Sequence, residues 1–121
     1  MEEDERIEES IVTEPEKIEP QERDPEKDNT IFIGIKPFMN YVTGVVMKFK
    51  NKGQKEVIVS ARGKFISKAV DVVEVARRTF LKDENINVQY IKINSEQFEN
   101  KEGRRIYVSS IEIMLVNNKW L

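Results

Sequence analysis

The chain has 121 residues, enough for one domain with a tail, and it contains neither cysteine nor histidine. Disulfides, thiolate metal sites and imidazole-based acid–base or triad chemistry are thereby excluded. The formal charge of −2 conceals a polarised chain: residues 1–29 hold thirteen acids against four bases (net −9), and residues 30–121 hold nine acids against sixteen bases (net +7).

The opening MEEDERIEESIVTEPEKIEPQERDPEKD contains three of the four prolines and few apolar residues. It cannot bury enough surface to offset its ordering entropy, so residues 1–28 read as a disordered acidic leader. Two roles stay open for it: folding back onto a basic domain in competition with nucleic acid, or simply solubilising the chain. Ile7, Ile11, Val12 and Ile18 are spaced too loosely for a regular stripe. The leader lacks the apolar core of a secretory signal, and no apolar run reaches the roughly 20 residues of a membrane span. The expectation is a soluble, cytoplasmic protein with no membrane partner.

Residues 29–121 read as the folded domain. TIFIG is a short strand ending at Gly34, and Pro37 after the Ile35-Lys36 loop suits the first position of a helix. Met39, Val42, Val45, Val46 and Phe49 then recur at helical spacing, and Gly53 is a C-terminal cap. EVIVSA is a second strand, rich in β-branched residues. On the helix that follows, Ile66, Ala69, Val70, Val73, Ala76, Arg77 and Phe80 share one face, with LKDEN closing it. INVQYIKIN and RRIYVSSIEIMLV are two longer strands, joined through SEQFENKEG with Gly103 as the turn. The order βαβαββ predicts an α/β two-layer sandwich, a four-stranded mixed sheet with two helices on one face, with right-handed crossovers in the βαβ steps. So small a sandwich buries little surface and leaves one sheet face open, and the apolar alternation Ile111, Ile113, Leu115 is strong. Dimerisation is therefore expected.

The cations cluster in three places. Arg62, Gly63 and Lys64 form a basic turn before the second helix, where backbone N–H groups favour anions and glycine lets a phosphate approach; as a short motif it equally suits an ordinary solvated turn. Lys36 lies in the first strand-to-helix loop. Both loops leave the C-terminal ends of neighbouring parallel strands, the edge where open α/β sheets place ligands. The hairpin tip NKEGRR adds Lys101, Arg104 and Arg105 on an arm suited to a duplex groove, or merely charged against edge pairing. The acids show no metal-ligand spacing, so neither a metal nor another cofactor is expected. Asp71 and Glu74, beside Lys68 and Arg78, read as a salt-bridged helix surface. Ser67 has no histidine base, and a Ser–Lys pair with Lys68 or Lys64 would need a pocket that nothing in the sequence indicates. Catalysis is not expected.

Three blocks, IGIKPFMNYVTGVV, ARGKFISKAVDVVEVARRTFL and GRRIYVSSIEIML, together resemble the Alba family of small basic archaeal chromatin proteins over about residues 29–117. The resemblance implies a homodimer with a fold similar to the C-terminal domain of translation initiation factor 3. It implies binding of double-stranded DNA with little sequence preference, coating, bridging or compacting it, and binding of RNA as well, as in relatives found in RNase P-type ribonucleoproteins. Carried over, the nucleic-acid contacts fall on Lys36, Arg62 and Lys64, with Arg104 and Arg105 on the arm; Gly63, Lys68 and Lys101 beside them complete the candidate binding set. Phe80 matches the aromatic that stacks between adjacent dimers. One departure stands out: where the family loop often reads Gly-Lys-Lys-Pro, this chain has Gly34-Ile35-Lys36-Pro37. Ile35 removes one cation per subunit and a lysine subject to acetylation in some members. Two alternatives to a DNA-packaging role remain: a mainly RNA-directed protein using the same patch, and a scaffold that binds an acidic protein.

Overall fold

The computed structural model describes residues 29–118; the leader assigned to residues 1–28 lies outside the described residues. The elements follow the order β1 (Thr30–Phe32), α1 (Phe38–Lys50), β2 (Glu56–Arg62), a 3-10 turn (Gly63–Phe65), α2 (Ile66–Val75) with a wide final turn (Ala76–Phe80), β3 (Ile86–Glu99) and β4 (Arg105–Asn117). The strands lie in the order β1-β2-β4-β3; β1 and β2 are parallel, and β4 is antiparallel to both β2 and β3. This is the expected two-layer α/β sandwich. Among the described residues no helix is long and apolar enough to cross a membrane.

The pleat sorts the sheet into two faces. The cross-strand rows Ile31–Val59–Ile113 and Ala61–Ile111 face the helices, because directly paired residues share a face. They join Val42, Val45 and Phe49 of α1 and Ala69, Val72 and Val73 of α2 in one buried core. The apolar side of the last strand thus belongs to the chain's own core. Burial of so many Val, Ile and Leu side chains, each worth about 1.5–3 kcal/mol, is what holds the two layers together. The opposite face carries Ile58, Ser60, Met114 and Glu112, together with Tyr90, whose hydroxyl donates to Glu112 Oε2 at 2.8 Å. That hydrogen bond, more than desolvation, holds the Tyr90 phenol above its ordinary pKa.

Four expectations need correction. Pro37 precedes α1 as its N-cap instead of starting it, its fixed φ of −58° leading the chain into Phe38. The buried stripe of α2 is turned toward Val72, so Val70 and Phe80 are exposed, and in α1 Met39 is exposed while Tyr41 is buried. The wide turn, in which Leu81 N–H bonds to Ala76 O at 2.9 Å, resets the phase at the end of α2 and buries Leu81 in place of Phe80. Finally, SEQFE is strand, not loop: β3 runs to Glu99 in unbroken register with β4, from Asn94↔Ser110 to Glu99↔Arg105. Since β2 ends at Arg62, opposite Ser110, the five pairs beyond it continue as a two-stranded arm of roughly 17 Å, whose base still packs on the core through Val108 and Ile106.

Candidate functional site

Two loops leave the C-terminal ends of parallel β1 and β2, and a lysine on α2 ties them together. Lys68 Nζ donates to Gly34 O and to Lys36 O, both at 2.7 Å. Its ammonium lies 5.1 Å from the centre of the Tyr41 ring and 5.8 Å from that of Phe65. From inside, the Tyr41 hydroxyl accepts the N–H groups of Gly34 at 2.9 Å and Lys36 at 3.0 Å. The β1–α1 loop is thereby held through its backbone, and the Lys36 side chain is left exposed. Lys68, expected on a salt-bridged surface with Asp71 and Glu74, is instead the clamp of this loop. Glu74 binds Arg77 at 2.6 Å and Arg78 at 2.7 Å, and these hydrogen bonds, Arg78 first, draw its carboxyl below the usual range.

The second loop is the basic turn. Gly63 has φ of 53°, in the left-handed region where a Cβ is disfavoured, which reverses the chain from β2 into the 3-10 turn. Neither Arg62 nor Phe65 caps this turn or α2 with its side chain, so the helix entrance keeps N–H groups that no side-chain cap satisfies. Phe65 anchors the turn in the core, and the exposed Lys64 ammonium lies 5.6 Å from its ring. Both Lys64 and Lys68 thus flank the Phe65 ring, and the structure brings Lys36, Lys64 and Lys68 to one edge of the sheet. Among the described residues no carboxylate pairs with any of the three.

Arg62 departs from the expected arrangement. Its Nη2 lies 3.0 Å from Glu96 Oε1 on β3, and its guanidinium sits 5.2 Å from the centre of the Phe98 ring. The side chain crosses β4, where only the small Ser110 stands opposite. Arg62 therefore joins the base of the arm, and Glu96 and Phe98 are site residues that the sequence reading missed. No local signal marks them, since their proximity to Arg62 depends on the register of β4 between them.

At the arm's tip the turn is built by Asn100. Its Oδ1 accepts the N–H groups of Glu102 and Arg104, each at 2.9 Å, and Gly103 takes φ of 81°. Lys101, Arg104 and Arg105 are all exposed there, with Arg105 in register with Glu99. Phe80, at the end of the wide turn after α2, is 45% exposed.

The family model named Alba matches residues 29–97. The DNA/RNA-binding protein Alba of Methanocella arvoryzae is 49% identical over 89 residues, covering 74% of this chain and 90% of that protein. Among solved structures, Alba from Thermoplasma volcanium matches with a TM-score of 0.67 at 45% identity, over 74% of this chain and all of the other. ALBA1 from Trypanosoma brucei matches with a TM-score of 0.55 at 28% identity, over 74% of this chain and 68% of that one.

Proposed function

Because the chain belongs to the Alba family, we propose that it is a non-enzymatic, homodimeric protein that binds double-stranded DNA through phosphates, without base readout, and packages the chromosome in the cytoplasm. The observation that carries this reading is the edge formed by Lys36, Lys64 and Lys68, unpaired with any described carboxylate, on a fold whose charge is +7 once the leader is set aside. Cations on flexible stems position a backbone and carry no sequence information. Lys101, Arg104 and Arg105 extend the same chemistry along the arm. Relatives bear the name DNA/RNA-binding protein, and a phosphate surface serves structured RNA equally; RNA is therefore a second ligand of the same edge.

The homodimer is supported by uncovered apolar surface. The helices lie over β1 and β2, so the helix-side residues of β3 are bare: Ile91 is 60% and Ile93 76% exposed. A second copy placed there completes the core, and Phe80 would then serve contacts between dimers on the nucleic acid.

The test is a salt series on Lys36→Ala and Lys64→Ala. Each variant is expected to bind several unrelated duplexes more weakly by a similar factor, with a shallower dependence of log K on log salt, by about one unit for each phosphate no longer neutralised. Loss confined to one sequence would reject a phosphate role.

A further inference from the structure

Arg62 is the cation of the basic turn that already has an anion. The Glu96 carboxylate meets its Nη2 at 3.0 Å, and the two side chains remain 30% and 37% exposed, open to an incoming ligand. Carboxylate and phosphate oxygens compete for the same guanidinium donors. The Phe98 ring, 5.2 Å away, already orients the guanidinium, so Glu96 is not needed for that purpose. A phosphate arriving beside Glu96 also meets a second anion at close range, a repulsion that salt screens.

We propose that Glu96 is a built-in stand-in for phosphate: it occupies Arg62 in the free protein, must be displaced when nucleic acid binds, and so sets the affinity and salt sensitivity of the surface below what its cations alone would give. This rests on the phosphate-binding reading above and names a determinant of it on the arm. Lys36 and Lys64, with no described carboxylate on them, engage first; Arg62 engages only as the pair with Glu96 opens.

The experiment compares the full-length protein with Glu96→Gln, Arg62→Ala and the double variant on one duplex DNA, by fluorescence anisotropy across a salt series. Separating an exposed ion pair costs up to about a factor of five. Glu96→Gln is therefore expected to bind up to about fivefold more tightly per subunit at low salt, the gain shrinking as salt screens the pair, so that log K falls more steeply with log salt. Glu96→Ser should reproduce the gain, and Arg62→Ala should abolish it. An unchanged affinity and slope in Glu96→Gln overturns the proposal, as does weaker binding, which would make Glu96 an orienting group. The same gain in the Arg62→Ala background also overturns it, since the effect would then be diffuse charge. In these cases the wild type still binds and the functional reading survives; a wild type that shows no salt-sensitive binding removes both.

Discussion

Replacing Lys68 by Met keeps the stem that lies along Tyr41 and Phe65 and removes only the ammonium. Two charged hydrogen bonds at 2.7 Å disappear with it. The bond to Gly34 O is partly buried and contributes about 1.5 kcal/mol, at the low end for a charged donor. The bond to Lys36 O is exposed, where water takes over, and contributes about 0.5 kcal/mol. The ring interactions at 5.1 and 5.8 Å add about 1 kcal/mol. Against this gross 3 kcal/mol or so stands about 1 kcal/mol of rotamer freedom regained by the untethered side chain. Lys68→Met should therefore destabilise the fold by about 2 kcal/mol. Thermal unfolding at fixed protein concentration should show a midpoint lower by roughly 8–15 °C for a domain of this size. A surface cation with no structural partner changes stability by less than about 0.5 kcal/mol. A midpoint within about 2–3 °C of wild type, on the same scale, would show that the clamp holds nothing and that Lys68 is only a ligand contact.

Two further outcomes follow from other parts of the sheet. If the proposed dimer packs on β3, Ile93→Lys, at a position 76% exposed, should give a monomer in sedimentation without unfolding it; a dimer that persists would move the interface away from β3. Tyr90 is held protonated by Glu112, so its stabilising contribution is complete below the ordinary tyrosine pKa and is lost as pH rises through the higher folded value. Ultraviolet titration should show a tyrosine ionising above the ordinary midpoint of 10.0, and Glu112→Gln should lower that midpoint.

Much of the fold was legible because β2 is rich in β-branched residues, Ile111, Ile113 and Leu115 recur at every second position of β4, and α1 repeats at helical spacing. The phase of α2 was harder to read. Valines at 70, 72, 73 and 75 allow more than one apolar stripe, and the choice depends on which one meets Val42 and Val45. The extra length of β3 was hidden for a different reason. The base of the arm meets the core mainly through Ile106 and Val108 of β4, so SEQFE on β3 needs only one apolar residue, Phe98, and reads as a loop. At the site, Lys36, Arg62 and Lys64 declare themselves by charge beside Gly or Pro. What Arg62 and Lys68 do there could not be read locally: Lys68 acts on residues 32 and 34 positions away, and Arg62 meets its acid only across an intervening strand.

The β1–α1 loop has one more implication. Its amides at Gly34 and Lys36 are spoken for by the Tyr41 phenol, and its carbonyls at the same residues by the Lys68 ammonium. Those two N–H groups have no proton left for a phosphate oxygen, and the carbonyls are acceptors that a phosphate cannot use, so recognition there falls largely to the Lys36 ammonium on its four-carbon tether. A rigid main-chain cradle would demand one phosphate spacing; a tethered point charge accommodates several. Such tolerance suits the proposed function, in which one surface would accept both the wide-pitched B-form duplex and the more compact A-form helix.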